Sequence, residues 1–210
     1  MTDDAGIETL NARIRQRDAT RAAILQAALE AFSERGFEGV STREIAARAG
    51  VHHALIKYHF ENKDSLWRAA VTFLFERQAD AFRAPQPAEF ADARAYAREL
   101  IRRRAYYWAR HPEHARLMVQ ESCVDSERFR WMTDQFISHT SRISEQFIRF
   151  LQENGLAPQG PVAPLVYIFV GAAQLFYTLA PEVRRVWNLD PADPQVIEDH
   201  VEALVAVLIR

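Results

Sequence analysis

Positive charges and hydrogen-bond donors gather in one short stretch of the chain, between Thr42 and Lys63. Both lysines of the chain, Lys57 and Lys63, lie in this stretch together with three of the seven histidines. Residues 13–68 hold 10 Lys or Arg against 7 Asp or Glu, whereas residues 69–210 hold 16 against 18. Residues 13–68 are therefore the net-positive part of the chain, which is a mild indication of a polyanionic partner.

The residues around these side chains follow the pattern of two short helices joined by a tight turn. Ser41 and Glu44 have the spacing of a capping box, which predicts a helix that continues to Ala49. Gly50 can take the left-handed conformation that a tight turn needs, and a second helix is predicted from His52 to His59. The apolar positions expected to face inward are Ile45, Ala46, Ala49, Val51, Leu55, Ile56 and Phe60.

The remaining positions of the second helix are polar or small and are expected to face outward or to flank the packed side. An exposed short helix with donors and an aromatic ring suits the major groove of DNA, where base edges and phosphates accept hydrogen bonds. A plain three-helix packing unit with a solvated polar face is the alternative. His53 and His59 do not have the i, i+4 spacing that would place a metal-binding pair on one helix face, so no metal site is predicted.

Three segments resemble the tetracycline-repressor-like (TetR-type) transcriptional regulators: 21–32 with Gly36-Phe37, 42–51 and 58–66. The resemblance implies a three-helix DNA-binding head over residues 17–77 and a helical, dimerising, ligand-sensing body over 78–210. It also implies phosphate contacts from Thr42, Tyr58 and Lys63. The residues expected to contact DNA are Thr42, Arg43, His52, His53, Ala54, Lys57, Tyr58, His59 and Lys63.

Two residues depart from the usual pattern of that family. His52 stands where Ser or Thr commonly follows the Gly-Val turn, and Lys57 replaces the first of the usual aromatic pair. Both keep a hydrogen-bond donor, so DNA binding is still expected, but the operator sequence cannot be transferred. Residues 1–16 are expected to form a flexible tail. The arginines at 13, 15, 17 and 21 would form either a basic arm against DNA or a solvated lead-in.

Helical periodicity dominates the rest of the 210 residues, and no strand-like alternation competes with it. The fold class is therefore all-α with about nine helices, a helix-turn-helix head and a helical body. The expected spans in the body are 89–110, 112–123, 126–154, 162–186 and 193–209, separated by Pro- and Gly-containing breaks. The single cysteine, Cys123, excludes a disulfide framework.

The last two predicted helices are expected to form a homodimer. Residues 154–181 contain no charged side chain, which is typical either of a helix buried on both sides or of a membrane span. Pro164, Gln174 and the dense charge that follows the segment favour the buried helix. Paired across a two-fold axis, helices 162–186 and 193–209 would build a four-helix interface.

An effector pocket is inferred from polar residues on the apolar faces of the body helices. Arg104, Glu121 and His139 would be costly inside the body unless they pair with each other or with a ligand. One alternative is a structural Arg104–Glu121 pair with a core histidine. The other is a pocket for an apolar or planar molecule, in which Arg104 would suit an anionic group. The expected pocket residues are Arg104, Tyr107, Trp108, Glu121, Phe136, His139, Tyr167 and Gln174, with Tyr106 beside them.

These patterns indicate a cytoplasmic, homodimeric regulator that binds a palindromic double-stranded operator and is most simply a repressor released by a small effector. No nucleotide-binding loop, nucleophile elbow or metal-binding histidine pair is present, so neither an enzyme nor a cofactor is predicted. The rival interpretation is a DNA-binding architectural protein of the same fold that needs no ligand. The helix expected over 62–82 would join pocket and head, and its tilt would change the spacing of the two recognition helices.

Overall fold

The structure, a computed structural model, describes residues 4–210, with side chains from residue 11 onward, and this part of the chain contains helices but no strand. The chain divides after Leu74 into two compact units. We call residues up to Leu74 the head unit and residues 75–210 the body unit. The division falls within the fourth helix, so that helix contributes residues to both units.

The head unit is built by three helices and the start of a fourth. They are α1 (Asp4–Arg35), α2 (Thr42–Arg48), α3 (His53–His59) and α4 (Lys63–Ala81). Its core comes from a buried apolar stripe of α1 together with one apolar face each of α2, α3 and α4. The apolar stripe of α1 consists of Ile24, Leu25, Ala28, Leu29 and Phe32. Gly36 ends α1 in the left-handed conformation at φ +71°, and its N–H bonds the carbonyl of Phe32.

The sequence predicts a flexible tail over residues 1–16, whereas in the structure α1 already begins within that segment, at Asp4. Residues 1–3 lie outside the described part of the chain. The residues ahead of the packed stripe include good helix formers such as Ala, Leu, Arg and Gln. Adding residues to a helix that is already anchored avoids the cost of nucleation, so α1 extends well beyond its buried stripe.

The body unit contains the other helices: a short 3₁₀ turn (Pro87–Glu89), α5 (Ala93–Arg110), α6 (Pro112–Ser122), α7 (Glu127–Met132), α8 (Ser138–Glu153), α9 (Val162–Thr178), α10 (Ala180–Trp187) and α11 (Pro194–Leu208). A π turn (Thr133–Ile137) joins α7 to α8, so 127–153 is one helical stretch, as expected. Helix α5 packs against α6, α9 and α11, and it supplies much of the core.

The helix expected over 162–186 is in fact two helices, α9 and α10, bent by 69° at Leu179. Pro181 lies in the first turn of α10 and cannot donate a backbone hydrogen bond to the preceding turn, which explains the break. When α7, the π turn and α8 are counted as one helix and the 3₁₀ turn is left out, the described residues form ten helices, close to the nine expected. No described helix alone is long and apolar enough to cross a membrane, although the bent pair α9 and α10 together meets the length and composition criteria.

Candidate functional site

The turn between α2 and α3 has the geometry that the sequence predicts. Ser41 caps α2 through its Oγ, which accepts a hydrogen bond from the Glu44 N–H at 3.2 Å. Gly50 adopts φ +65°, and the Val51 N–H bonds the Ala46 carbonyl at 3.0 Å. A residue with a Cβ would be strained at this φ, so the tight turn depends on glycine.

Helix α3 packs against the head unit through one side, and its other side is exposed. Ile56 on α3 and Phe60 just after it are buried, at 2% and 6% exposure, against the apolar residues of the head unit. Ala54, Lys57 and Tyr58 are exposed, and Tyr58 reaches 71%. We call the surface formed by Ala54, Lys57 and Tyr58 the outer face of α3. Its residues lie at i, i+3 and i+4, so they share one side of the helix.

The inward face of α3 is narrower than expected, because Leu55 is 38% exposed and Val51 is only half-buried. The expectation that Leu55 packs inward is therefore wrong. With seven residues α3 makes barely two turns and buries a single residue, Ile56, while Leu55 falls on the flank between the two faces.

Three of the predicted DNA contacts bond to one another or to the backbone. His52 caps α3, since its Nδ1 accepts a hydrogen bond from the Ala54 N–H at 3.3 Å. The Nε2 of His53 lies 3.0 Å from the hydroxyl of Thr42, which joins the start of α3 to the start of α2. Arg43 next to Thr42 is exposed. The structure thus gives His52 and His53 positioning roles that sequence reasoning missed.

Further positive charge lies on other elements of the head unit. Lys63 at the start of α4 is half-buried, with its Nζ 4.4 Å from the centroid of the Phe37 ring. The pKa of His59 is lowered by partial burial and by the charges of Arg21 and Arg17. Those two arginines are exposed side chains of α1. The arrangement suits an anionic partner spread along several elements of the head unit.

The body unit holds a buried arginine with no carboxylate partner among the described residues. Arg104 is 7% exposed, and one of its N–H groups donates to the Leu100 carbonyl at 3.1 Å. Its guanidinium lies 4.9 Å from the Phe82 ring centroid, and the rings of Phe147 and Phe169 lie 5.1 Å and 5.9 Å away. Burial lowers the pKa of Arg104 to about 10. The side chain still carries its charge at neutral pH, inside an aromatic cage.

The expected pair between Arg104 and Glu121 is not formed. Glu121 is buried as expected, but its carboxylate faces Arg128 on α7 at 3.6 Å. Burial raises the pKa of Glu121, and the nearby Arg128 partly offsets that effect. Arg104 and Glu121 therefore both face inward but have different neighbours. The periodicity of the sequence shows which helix face each residue lies on, but not its partner.

Other expected pocket residues lie in different places. Trp108 and Tyr107 are buried at 4%, and Phe136 stacks on Phe75 at 4.7 Å between ring centroids. His139 is exposed and Tyr167 is 79% exposed, so placing them in the interior is wrong. The π turn ahead of α8 shifts the helix register and turns His139 outward. Gln174 is half-buried.

A second buried polar group, which sequence reasoning missed, is His114 on α6. It is 1% exposed, and its Nδ1 lies 2.7 Å from the hydroxyl of Tyr107. Burial, followed by the charge of Arg77, lowers the pKa of His114 to about 3, and burial raises the pKa of Tyr107. With His114 neutral and Tyr107 protonated, the tyrosine hydroxyl can donate to the imidazole. Arg77 itself bonds Glu113 at 2.7 Å.

The neutral state of His114 leads to a prediction about acid stability. The unfolded histidine titrates near 6.5 and the folded one near 3, so the unfolded chain binds more protons in between. His114 should therefore lower the free energy of unfolding as the pH falls through this range, by up to about 1.4 kcal/mol per pH unit. Urea unfolding of His114→Gln at several pH values should show a shallower loss than the native chain. His139→Gln, a control at an exposed histidine, should keep the native slope, and an equal slope for His114→Gln would contradict this assignment.

The side of α9 that faces away from the core is apolar and exposed. Phe169, Ala173 and Tyr177 form its buried side at four-residue intervals. The opposite side carries no charge and includes Tyr167, Ile168 and Leu175 at 79%, 57% and 55% exposure. We define the outer face of α9 as the exposed positions Tyr167, Ile168, Gly171, Ala172, Leu175 and Leu179.

The sequence predicts that α11 packs in a dimer interface, whereas most of its apolar side is buried within one chain. Ile197, Val201 and Leu204 are buried in the body unit, where α11 packs chiefly against α5. The side of α11 left exposed is smaller and includes Ala203, Ala206 and, at 82% exposure, Val207. Most of the α11 stripe therefore stabilises the body of one chain.

The comparisons with known proteins agree with this geometry. Residues 24–70, which contain α2, the turn and α3, match the family model of bacterial regulatory proteins, tetR family. The HTH-type transcriptional regulator RutR of Escherichia coli O157:H7 is 28% identical over 100% of this chain and 98% of its own length. The HTH-type transcriptional repressor Rv3405c of Mycobacterium tuberculosis is 40% identical over 36% of this chain and 40% of its own. Among solved structures, AibR in complex with isovaleryl coenzyme A and operator DNA has a TM-score of 0.66 at 18% identity and covers 90% of this chain and 97% of that one.

The matched residues 24–70 contain α2, the turn and α3, and α3 packs against the head unit through one face. The head unit is therefore a helix-turn-helix DNA-binding domain. The chain as a whole is similar to TetR-type transcriptional regulators, with full-length similarity to RutR and a shared all-helical fold.

Proposed function

We propose that this regulator binds a palindromic operator as a homodimer and represses transcription until a small effector enters the body unit. The observation that carries the proposal is the exposed outer face of α3, which presents Lys57 and Tyr58 on a helix fixed from behind by Ile56 and Phe60. Binding to DNA would place the protein in the cytoplasm. An effector site on the same chain as the DNA-binding head is supported by the solved structure of AibR, which contains both isovaleryl coenzyme A and operator DNA.

The outer face of α9 supports a dimer. A contiguous apolar surface of this kind on one helix is expected to be covered in the assembled protein. Gly171 and Ala172 lie at its middle, and a Cβ at Gly171 would meet no atom within 4 Å, so a second helix can approach closely there. We propose that α9 and the exposed side of α11 from two protomers pack around a two-fold axis. Two recognition helices would then reach major grooves one helical turn apart, about 34–36 Å.

Arg104 supports an effector with an anionic group over the ligand-free alternative. A buried guanidinium without a carboxylate is expensive, and cation–π contacts offset only part of its desolvation. A carboxylate or phosphate that reached Arg104 would remove that cost and would bring its organic part against Phe82, Phe147 and Phe169. The proposed effector is therefore a hydrophobic or aromatic small molecule that carries a negative charge. The rings of Tyr107 and Trp108 contact Phe82 at the same site.

Selection of bound sequences from random double-stranded DNA, repeated with candidate metabolites, tests this function. We expect an inverted repeat whose half-sites are about one helical turn apart, and the loss of its recovery on adding one compound. Recovery of a single, non-repeated site would contradict the two-fold dimer. Sequence-independent binding, unaffected by any metabolite, would favour the architectural alternative.

Lys63 provides a test of the phosphate contacts. Asn62 caps α4 by accepting a hydrogen bond from the Ser65 N–H at 2.8 Å, which places Lys63 in the first turn. A phosphate there would meet both the ammonium group and the free backbone N–H groups. Lys63→Ala should weaken binding to all DNA sequences about equally and reduce the salt slope by about one unit. Arg142→Ala, at an exposed residue of α8, serves as the control. A salt slope equal to that of the native protein would remove Lys63 from the phosphate contacts.

A further inference from the structure

A cavity of about 380 Å³ opens in the body unit beside the second half of α5. Its walls hold four arginines, Arg77, Arg102, Arg103 and Arg110, together with Tyr106 and Tyr107. Ala81 and His111 complete the lining, so no acidic side chain is part of it. Arg104 is not among the lining residues, which makes this cavity distinct from the aromatic cage described above.

The arginines are only partly neutralised by the carboxylates behind them. Arg102 donates from Nε to Glu198 at 2.6 Å, and Arg103 donates from Nε to Glu99 at 2.8 Å. Arg103 also donates from Nη1 to the Arg83 carbonyl at 3.0 Å, and each of the two guanidinium groups keeps further N–H groups. Arg110 makes neither a hydrogen bond nor an ion pair with any residue in the described part of the chain.

The ring of Tyr106 lies between two of these arginines and allows their positive charges to remain near each other. Arg102, Tyr106 and Arg110 lie at four-residue intervals on α5, and both guanidinium groups contact the same ring, at 4.7 Å and 5.5 Å from its centroid. The hydroxyl of Tyr106 donates to Glu198 at 2.8 Å, which fixes the ring between them. The aromatic ring offsets part of the repulsion between the two positive charges.

We propose that this cavity binds a small molecule that carries a phosphate group. The phosphate would lie against Arg110 and take the remaining N–H groups of Arg102 and Arg103. Planar guanidinium groups match the oxygen geometry of phosphate, and several converging forks suit a dianion better than a monocarboxylate. The volume is within the range of sites for small metabolites. Tyr107 forms an aromatic wall for the organic part of the ligand.

Binding of anions by the protein alone, without DNA, tests the proposal. Pyrophosphate and inorganic phosphate are titrated by calorimetry at constant ionic strength, with acetate as the monocarboxylate probe. We expect saturable binding of pyrophosphate, weaker binding of phosphate and little heat from acetate. Arg110→Gln should weaken pyrophosphate binding at least about tenfold, since one charged fork is typically worth a factor of this size. Arg142→Gln, an exposed arginine of α8, should bind as the native protein does.

Arg110→Lys separates charge from geometry, because lysine keeps the charge and loses the fork. It should bind with an affinity between those of the native protein and Arg110→Gln, and circular dichroism establishes that each variant is folded. Equal pyrophosphate binding by the native protein and Arg110→Gln, or binding that never saturates, would overturn the proposal. Because the titration uses no DNA, such a failure would not contradict the proposed operator binding. A protein that failed to bind its operator could likewise still bind pyrophosphate.

Discussion

Ala172→Arg should convert the protein into a monomer and reduce its affinity for a full operator at least about 100-fold. Ala172 lies at the middle of the outer face of α9, where it is exposed in a single chain. An arginine there would leave the fold of one chain intact but place two buried charges against each other across the proposed two-fold axis. A monomer occupies one half-site at a time and loses the effective concentration that linkage to the second head provides.

Sedimentation equilibrium of the variant measures the first effect, and titration of a full operator measures the second. Gln146→Arg, at an exposed position of α8, adds the same side chain away from the proposed interface and should remain a dimer with native affinity. A dimeric Ala172→Arg with native operator affinity would contradict the assignment of α9 to the interface.

The double variant Lys57→Ala, Tyr58→Ala should lose operator binding by on the order of 100-fold while keeping its stability. Both side chains are exposed on the outer face of α3, and Tyr58 is 71% exposed, so neither contributes to the core. A phosphate or base contact is typically worth about 1–3 kcal/mol, and here two are removed together. Fluorescence anisotropy with a labelled operator measures the loss, and thermal unfolding checks the stability.

A double variant on the body unit provides the matched comparison. Arg142→Ala with Val124→Ala also removes one positive charge and one exposed large side chain, and it should bind the operator as the native protein does. If the α3 variant retained native affinity, its outer face would not be the DNA-binding surface. If both variants lost affinity equally, the effect would come from charge or solubility in general.

The head unit was predictable from sequence because its determinants are local. The cap at Ser41, the left-handed glycine at position 50 and the apolar spacing of Ile45, Ala46 and Ile56 each act within a few residues. The exposure of Leu55 was missed because a two-turn helix has too few residues for its periodicity to define the width of its buried face. The extension of α1 to Asp4 was missed because that part of the helix has no apolar stripe, yet it can propagate from the buried segment.

The body unit was predictable as a set of helices, but the partners of its polar residues were not. Periodicity placed Arg104 and Glu121 inward correctly, yet it could not show that Arg128 faces Glu121 or that aromatic rings surround Arg104. His114 had a usable signal, since it lies three residues before Leu117 and seven before Glu121 on the same helix face. The regular spacing of Arg102, Tyr106 and Arg110 was also present, but only the structure brings Arg77 beside them.

The most direct test of the central claim replaces Tyr58 with the photoreactive residue p-benzoylphenylalanine and irradiates the dimer bound to its selected operator. If the outer face of α3 lies in the major groove, position 58 should cross-link to DNA within each half-site. The same residue at Ile143, an exposed position of α8, should give no DNA adduct. Absence of a cross-link from position 58 on an operator that the variant still binds would contradict the account.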